Sequence, residues 1–178
     1  MTQLDLLTVA KPGIDRGALL TKAYRWLLWR VWDTAHEHRD LWVGLNPSFA
    51  DAEVDDLTVK KVCGFSRRWG STGGVFFGNL FGLRSTDPSA LLTHRDPIGP
   101  FNDTHLFAQA ELVASSGGRL IVAWGDGGEL HGRGVQVAAK LAQFRAPLLC
   151  LGHTKAGHPK HPSRLGYDTP LVPFQGYA

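Results

Sequence analysis

The chain contains 178 residues, of which 43% are hydrophobic and 20% charged, so its size fits one domain and its composition excludes a wholly disordered chain. Its formal net charge of +3 and isoelectric point of about 9.0 permit a polyanionic partner but do not require one. The two cysteines exclude a disulfide framework and Arg25 and Arg30 interrupt the longest apolar run, so we expect a cytoplasmic protein that does not contact membranes.

Residues 1–20 show little pattern and predict an N-terminal arm, which leaves a single domain at 21–178. In chain order, the pattern predicts a strand or short helix at 24–32, a strand at 41–45, a helix from 58 that ends before 70, a strand at 75–80, a short helix at 88–92, a helix from a cap at 102 to about 115, a strand at 120–124, a helix at 129–144, a strand at 147–151 and a loop at 152–168. This alternation predicts an α/β three-layer sandwich whose central four- to five-stranded sheet is mostly parallel.

Polar segments follow four of the predicted strands. Asn46, Asn79 and the segments 124–126 and 153–164 each come where a strand ends. Because the carboxyl ends of parallel strands meet at one edge of the sheet, where α/β folds bind ligands, these segments predict the functional site.

The loop after the strand at 41–45 reads G-L-N-P-S-F-A-D at 44–51 and supports two interpretations. Pro47 restricts the backbone, so Asn46 is suited to hold a water molecule that a nearby carboxylate deprotonates or orients. Alternatively, the loop forms an Asx turn and its acidic residues stabilise the N-terminus of the next helix.

Asn79 ends an apolar strand, where a buried amide costs free energy unless it is paired. An amide offers both a donor and an acceptor. It can therefore read O4 and N3–H, or N4 and N3, on one edge of a pyrimidine. The alternative is an asparagine that ties down a neighbouring loop.

The loop at 153–165 contains three histidines within nine residues, which is suggestive of a metal site. However, a proline follows both His158 and His161, and no acid stands at a typical metal-ligand spacing. We therefore predict neither a metal nor another cofactor. The basic residues of this loop are Lys155, Lys160 and Arg164. They suit contacts with phosphate, although a solvated loop would explain them as well.

Taken in order, four motifs resemble the uracil-DNA glycosylase superfamily over roughly residues 41–165. The motifs are G-L-N-P at 44–47, G-V-F-F-G-N-L at 74–80, L-I-V-A-W-G at 120–125 and H-P-S-R-L at 161–165. The last resembles the superfamily motif H-P-S-P-L, with Arg164 in place of the second proline. The whole chain also resembles an uncharacterised bacterial family, DUF1643.

The resemblance implies a role for each matching residue. Asn46 takes the place of the water-activating residue, as in the mismatch-specific uracil and thymine branch, Asn79 reads the flipped pyrimidine, and His161 assists at the base oxygen. The residues expected beside the base are Ser48, Phe49 and His158. The residues expected at the DNA are Ser163 and Arg164, Lys155 and Lys160, and Leu165 as a wedge in the space that the base leaves.

Two departures from the superfamily pattern affect the expected chemistry. An amide such as Asn46 does not take a proton near pH 7, so either leaving-group stabilisation dominates or a carboxylate assists. The candidate carboxylates are Asp51 first, and then Asp55 and Asp56. The classical enzymes carry a tyrosine where this chain has Ser48, and the small side chain opens the C5 side of the base unless Phe49 or Trp69 closes it.

The expected function is therefore that of a monofunctional DNA glycosylase that leaves an abasic site. Its substrate is uracil, mismatched thymine or a pyrimidine with a larger C5 group, such as hydroxymethylated or glucosylated cytosine of phage DNA. The partner is DNA, the enzyme is expected to be a monomer, and both repair and defence against phages are open. The alternatives are a hydrolase of free modified nucleosides or nucleotides and a non-catalytic module that binds nucleic acid.

Overall fold

A computed structural model describes residues 15–177, which form a seven-stranded sheet with four α-helices. The strands are β1 (Asp15–Leu20), β2 (Arg25–Val31), β3 (Asp40–Gly44), β4 (Gly74–Asn79), β5 (Arg119–Val122), β6 (Leu148–Cys150) and β7 (Val172–Pro173). The helices are α1 (Leu57–Trp69), α2 (Ala90–Thr93), α3 (Asn102–Ser115) and α4 (Arg133–Leu141). Among these residues, none of the helices is both long and apolar enough to cross a membrane.

The strand order is β1-β2-β4-β3-β5-β6-β7. The four central strands, from β4 to β6, are parallel, whereas β1, β2 and β7 pair antiparallel at the two edges. The predicted four- to five-stranded, mostly parallel sheet is therefore wrong in size and in type, because the sheet is larger and mixed. The α/β class is confirmed.

The edge strands explain this difference. The last six residues of the predicted N-terminal arm form β1, which pairs with β2, and the remainder of that arm lies outside the described residues. β1 contains only three consecutive apolar residues, at its end, and β7 has only two residues. An edge strand that is only partly buried needs no long apolar run, so the hydrophobic pattern gave no signal for either strand.

Helices cover both faces of the sheet. Trp42 on β3 packs in the core beneath α1, while its neighbours Leu41 and Val43 pack in the core beneath α3 and α4. This alternation is what the two-residue period of a strand requires when both faces are buried. We call the two sides the α1 face and the α3/α4 face.

The predicted helix at 58–69 is confirmed as α1, and its ends follow ordinary capping rules. The Asp56 carboxylate accepts a hydrogen bond from the Val59 N–H at 2.8 Å, which satisfies one of the free N–H groups at the helix start. Gly70 ends the helix with a φ of 66°, a left-handed value that favours glycine.

Two predicted helices have different starts in the structure. The helix predicted at 129–144 is a 3-10 helix at Asp126–Gly132 followed by α4, because Leu130 and His131 leave helical geometry at the junction. Asn102 does not cap α3, since Phe101 precedes the helix in a left-handed conformation and makes no capping bond. The amide of Asn102 instead donates to the carbonyls of Asn79 and Leu80 at 3.1 and 3.3 Å.

Candidate functional site

The parallel strands β4, β3, β5 and β6 end at the same edge of the sheet, so the polar segments predicted to cluster there share that edge. On the α1 face, this edge is bordered by the loop at 45–56, which leads into α1, and by the turn at Pro162–Arg164, which packs against α1. The candidate site lies between these two segments.

Asn79 is the most unusual side chain of the site. It is only 1% exposed, and neither its Nδ2 nor its Oδ1 has a hydrogen-bond partner among the described residues. An unpaired buried polar atom costs about 1–3 kcal/mol. A fully buried amide with both ends unpaired is therefore expected to pair with a group that the protein itself does not supply.

The backbone of Gly44 lies close to the Asn79 amide. A Cβ atom on Gly44 would lie 3.0 Å from the Asn79 Oδ1 and 3.0 Å from the Phe77 ring, closer than most side-chain contacts. Any larger residue at Gly44 would press on both groups. Asn79 therefore faces the same side as Phe77, which packs in the core of the α1 face.

Arg25 is a buried residue of this region that we did not assign to the site from the sequence. It is 1% exposed, its Nη1 donates to the Ala50 carbonyl at 3.0 Å, and its Nε has no partner among the described residues. Its guanidinium carbon lies 5.7 Å from the centroid of the Phe77 ring. The sequence did indicate this residue, because Arg25 begins an apolar strand and a charged side chain is rarely buried there unless it is paired or hydrogen-bonded.

A break in strand register accounts for the position of Arg25. The pairing of β1 with β2 shifts between Leu19 and Leu20, so that Leu19 faces Leu27 and Leu20 faces Arg25. Such an irregularity turns a side chain to the other face of a sheet. Burial lowers the pKa of Arg25 to about 10, which still leaves the guanidinium protonated at neutral pH.

His161 presents a hydrogen-bond donor to the site. Its Nδ1 accepts from the Ser163 backbone N–H at 3.3 Å and lies 2.9 Å from the Ser163 hydroxyl. Because a backbone N–H can only donate, the neutral ring carries its proton on Nε2. Its Cβ lies 3.6 Å from the position of a Cβ on Gly125, which places it beside the end of β5.

Burial lowers the pKa of His161, and the opposing effect of the Asp56 charge is smaller. We therefore expect His161 to titrate below the ordinary value of about 6.5 and to be neutral at pH 7. Since the folded protein disfavours the charged ring, the stability that the neutral form contributes is present above pH 6.5 and is lost as the pH falls through the lowered value. NMR titration of the imidazole protons measures this, and a midpoint at or above 6.5 would contradict it.

Asp56 is the carboxylate that this arrangement places closest to the other groups. It is 7% exposed, and its charge raises the pKa values of both Arg25 and His161 against the effect of burial. One oxygen, Oδ1, caps α1, whereas Oδ2 accepts no hydrogen bond within the described part of the chain. The candidate site thus combines an amide, a buried cation, a neutral imidazole and a carboxylate.

The other two candidate carboxylates are used by the loop itself. The Asp51 Oδ1 accepts from the N–H groups of Glu53 and Val54 at 2.8 Å each, and these bonds lower its pKa. Asp55 forms ion pairs with Arg30 at 2.6 Å and Arg16 at 3.3 Å. Both residues therefore hold the shape of the loop that leads to Asp56.

Asn46 ties together the loops that follow β3 and β4. Its Nδ2 donates to the carbonyls of Ser85, Pro47 and Leu83 at 2.9, 3.2 and 3.5 Å. We expect Asn46→Ala to lower the free energy of unfolding by about 1–2 kcal/mol, because three partly buried carbonyls lose a hydrogen-bond donor. Urea denaturation measures this, with Ser48→Ala as a control on the same loop, and equal stability of the two variants would contradict it.

The residues expected beside the base separate into two groups. Ser48 is partly buried and Phe49 is 54% exposed, both in the loop that borders the site. His158 lies elsewhere, because its Nδ1 is 3.1 Å from the hydroxyl of Tyr177, which packs on the α3/α4 face. Trp69 does not border Asn79, since it stacks on Trp42 at the C-terminal end of α1.

The residues expected at the DNA lie on the surface of the late loop. Lys155, Lys160, Ser163 and Arg164 are exposed, whereas Leu165 is half-buried against the core of the α1 face. Across residues 15–177, no cluster of three or more His, Cys, Asp or Glu side chains is placed to hold a metal ion.

Comparison with known proteins identifies a matching family model. A family model described as "Protein of unknown function (DUF1643)" matches residues 25–163, a range that begins at Arg25 and includes Asp56, Asn79 and His161. No curated protein and no solved structure matches the chain. Because the family model covers well over half of the sequence, the chain belongs to the DUF1643 family.

Proposed function

We propose that this protein is a DNA glycosylase of the uracil-DNA glycosylase superfamily, which hydrolyses the N-glycosidic bond of a flipped-out pyrimidine and leaves an abasic site. The observation that carries the proposal is the Asn79 amide, which is buried at the carboxyl edge of the parallel strands and has no hydrogen-bond partner within residues 15–177. At positions 3 and 4 of its ring, a pyrimidine presents one hydrogen-bond donor and one acceptor (N3–H and O4, or N4–H and N3), and the amide complements both.

His161 can supply the hydrogen-bond donor that would stabilise the departing base. Cleavage of the glycosidic bond moves negative charge onto the pyrimidine, and a donor placed at its O2 stabilises that charge. A neutral ring with its proton on Nε2 supplies such a donor, since Nδ1 is already engaged by Ser163. The lowered pKa of His161 keeps this form present at neutral pH.

The carboxylate best placed to assist the attacking water is Asp56. Asn46 cannot take a proton and donates its amide to three carbonyls, while Asp51 accepts two backbone bonds within its own loop. Within residues 15–177 the Asp56 Oδ2 accepts no hydrogen bond, and the Asp56 charge acts on the pKa of the nearby His161. Its charge also stabilises the electron-poor sugar that forms as the base departs.

Exposed residues of the late loop would hold the DNA. Lys155, Lys160 and Arg164 can neutralise phosphates, and the Ser163 hydroxyl can donate to one. These contacts help to offset the cost of extruding a base, which is a few kcal/mol. Leu165 packs partly against the core of the α1 face. Only the rest of its side chain could enter the space that the extruded base leaves in the DNA.

The test is formation of alkali-labile sites in oligonucleotides that each carry one unusual base. The panel contains uracil, a thymine mismatch, 5-hydroxymethyluracil, 5-hydroxymethylcytosine and its glucosylated form, in single and double strands. We expect strand cleavage at one class of base, and DNA binding that weakens steeply as salt is added. Intact strands throughout the panel, with folded protein, would overturn the proposal.

A second candidate is a module that binds an unusual base without cleaving it. It is favoured by the use of the Asn46 Nδ2 and the Asp51 Oδ1 in hydrogen bonds that shape the loop. This candidate predicts tight, base-dependent binding with no abasic product. The free-nucleoside hydrolase instead predicts cleavage of nucleosides and DNA binding that is weak and insensitive to salt.

A further inference from the structure

In the part of the chain that the structure describes, the Arg25 Nε and the Asn79 amide both lack hydrogen-bond partners, and the two side chains lie in the same region of the molecule. The backbone N–H of Arg25 donates to the carbonyl of Gly82 at 2.9 Å, whereas its guanidinium carbon lies over the ring of Phe77. Asn79 stands between Phe77 and Gly82 in the adjacent segment. The Arg25 side chain therefore extends from beside Gly82 towards Phe77 and lies next to Asn79 on the α1 face.

The order of the strands places Arg25 and His161 on opposite sides of Asn79. In the order β2-β4-β3-β5, Arg25 belongs to β2 and Asn79 to β4, and His161 lies beside Gly125, just after β5. Adjacent strands are about 4.8 Å apart. A planar ring held by Asn79 thus has His161 towards one of its edges and Arg25 towards the other.

If the proposed function is correct, Asn79, His161 and Arg25 each face a different edge of the flipped pyrimidine. If the pyrimidine O2 faces His161 and its Watson–Crick edge faces Asn79, its C5 edge faces β2. Arginine has donors and no acceptor, so the Nε–H needs an oxygen. A methyl group or a hydrogen atom at C5 cannot supply one.

We propose that Arg25 is a specificity-determining residue that donates its Nε–H to a hydroxyl oxygen on the C5 substituent of the base. The substrate class is then a 5-hydroxymethylpyrimidine, or its sugar-decorated form, rather than uracil or thymine. The hydroxyl oxygen satisfies this buried donor, whereas thymine leaves it as it is in the free protein, so the site favours the base that carries the oxygen.

The test compares 5-hydroxymethyluracil with thymine, because the two bases differ by one oxygen atom. Each base is placed on a 2′-fluoro sugar in the same single-stranded oligonucleotide, which slows hydrolysis, and dissociation constants are measured by fluorescence anisotropy. We expect the wild type to bind the hydroxymethyl base about 10- to 100-fold more tightly, as for a hydrogen bond to a charged group. In Arg25→Lys this ratio falls to near one, while the affinity for thymine is unchanged.

Arg25→Lys keeps the positive charge and can still reach the Ala50 carbonyl, so the variant is expected to fold. Arg30→Lys is the matched control, since Arg30 is also buried on β2 but bonds through every nitrogen to Asp55 or to backbone carbonyls. Its ratio should equal that of the wild type.

Three results separate this inference from the proposed function. A wild-type ratio near one, no binding of either base, or an unchanged ratio in Arg25→Lys overturns the role of Arg25. If the protein prefers 5-hydroxymethyluracil to thymine and this preference depends on Arg25, but no abasic sites form on the unmodified sugar, the role of Arg25 is supported and the proposed glycosylase activity is overturned. Abasic sites without discrimination overturn the role of Arg25 alone.

Discussion

Asn79→Leu is expected to abolish excision of the base while leaving the fold as stable as the wild type or more so. Leucine branches at the same atom as asparagine but carries no polar group, so it removes two unpaired buried atoms. We expect the free energy of unfolding to stay constant or rise by about 1 kcal/mol. The loss of both hydrogen bonds to the base should lower kcat/KM by about 10³-fold or more. Urea denaturation and abasic-site assays measure the two effects.

Asn102→Leu is the matched control for this substitution. Asn102 is as buried as Asn79, and its Oδ1 likewise has no partner among the described residues, but its Nδ2 donates to two backbone carbonyls. Its replacement should lower the free energy of unfolding by about 1–3 kcal/mol, because those carbonyls lose their donor. If Asn79→Leu destabilised the protein as much as Asn102→Leu, Asn79 would be a structural residue and the account of the site would be wrong.

His161→Ala is expected to lower the single-turnover rate of excision by about 10²- to 10³-fold, with little change in DNA affinity. The reason is that the Nε2–H stabilises charge that develops on the base only as the glycosidic bond breaks. Rapid-quench assays with enzyme in excess measure this rate directly.

His153→Ala is the control for the loop that carries His161. His153 stacks on the ring of Phe174, 5.4 Å away between centroids, on the α3/α4 face. Its removal should alter stability without a comparable loss of rate. Equal rate losses in the two variants would indicate that His161 acts only by holding the loop.

The sequence predicted the centre of the fold well and its edges poorly. The apolar runs that became β3, β4 and β5 are buried on both faces, so hydrophobicity alone located them. The edge strands β1 and β7 depend on pairing with distant segments, which a local pattern does not record. A sheet that appeared mostly parallel in the sequence is therefore mixed.

For the candidate site, which stays a prediction, the sequence was informative where the residue type and its place at the end of a strand or in a motif were enough. An asparagine at the end of an apolar strand and a histidine within H-P-S-R-L pointed to Asn79 and His161, and the structure places both on the α1 face. The position of Arg25 depends on a register shift between β1 and β2, which the sequence does not show. The choice among three nearby carboxylates likewise depends on which of them the loop uses for its own hydrogen bonds.

The central claim is that the amide of Asn79 pairs with a pyrimidine, and a crystal structure with a bound analogue tests it most directly. The protein would be crystallised with DNA that carries a 2′-fluoro nucleotide of the base that the excision panel identifies. We predict an extruded base with its Watson–Crick edge within hydrogen-bond distance of both Asn79 amide atoms and its O2 at the His161 Nε2. A base that remains stacked, or that is held elsewhere while the Asn79 amide pairs with protein groups, would contradict the account.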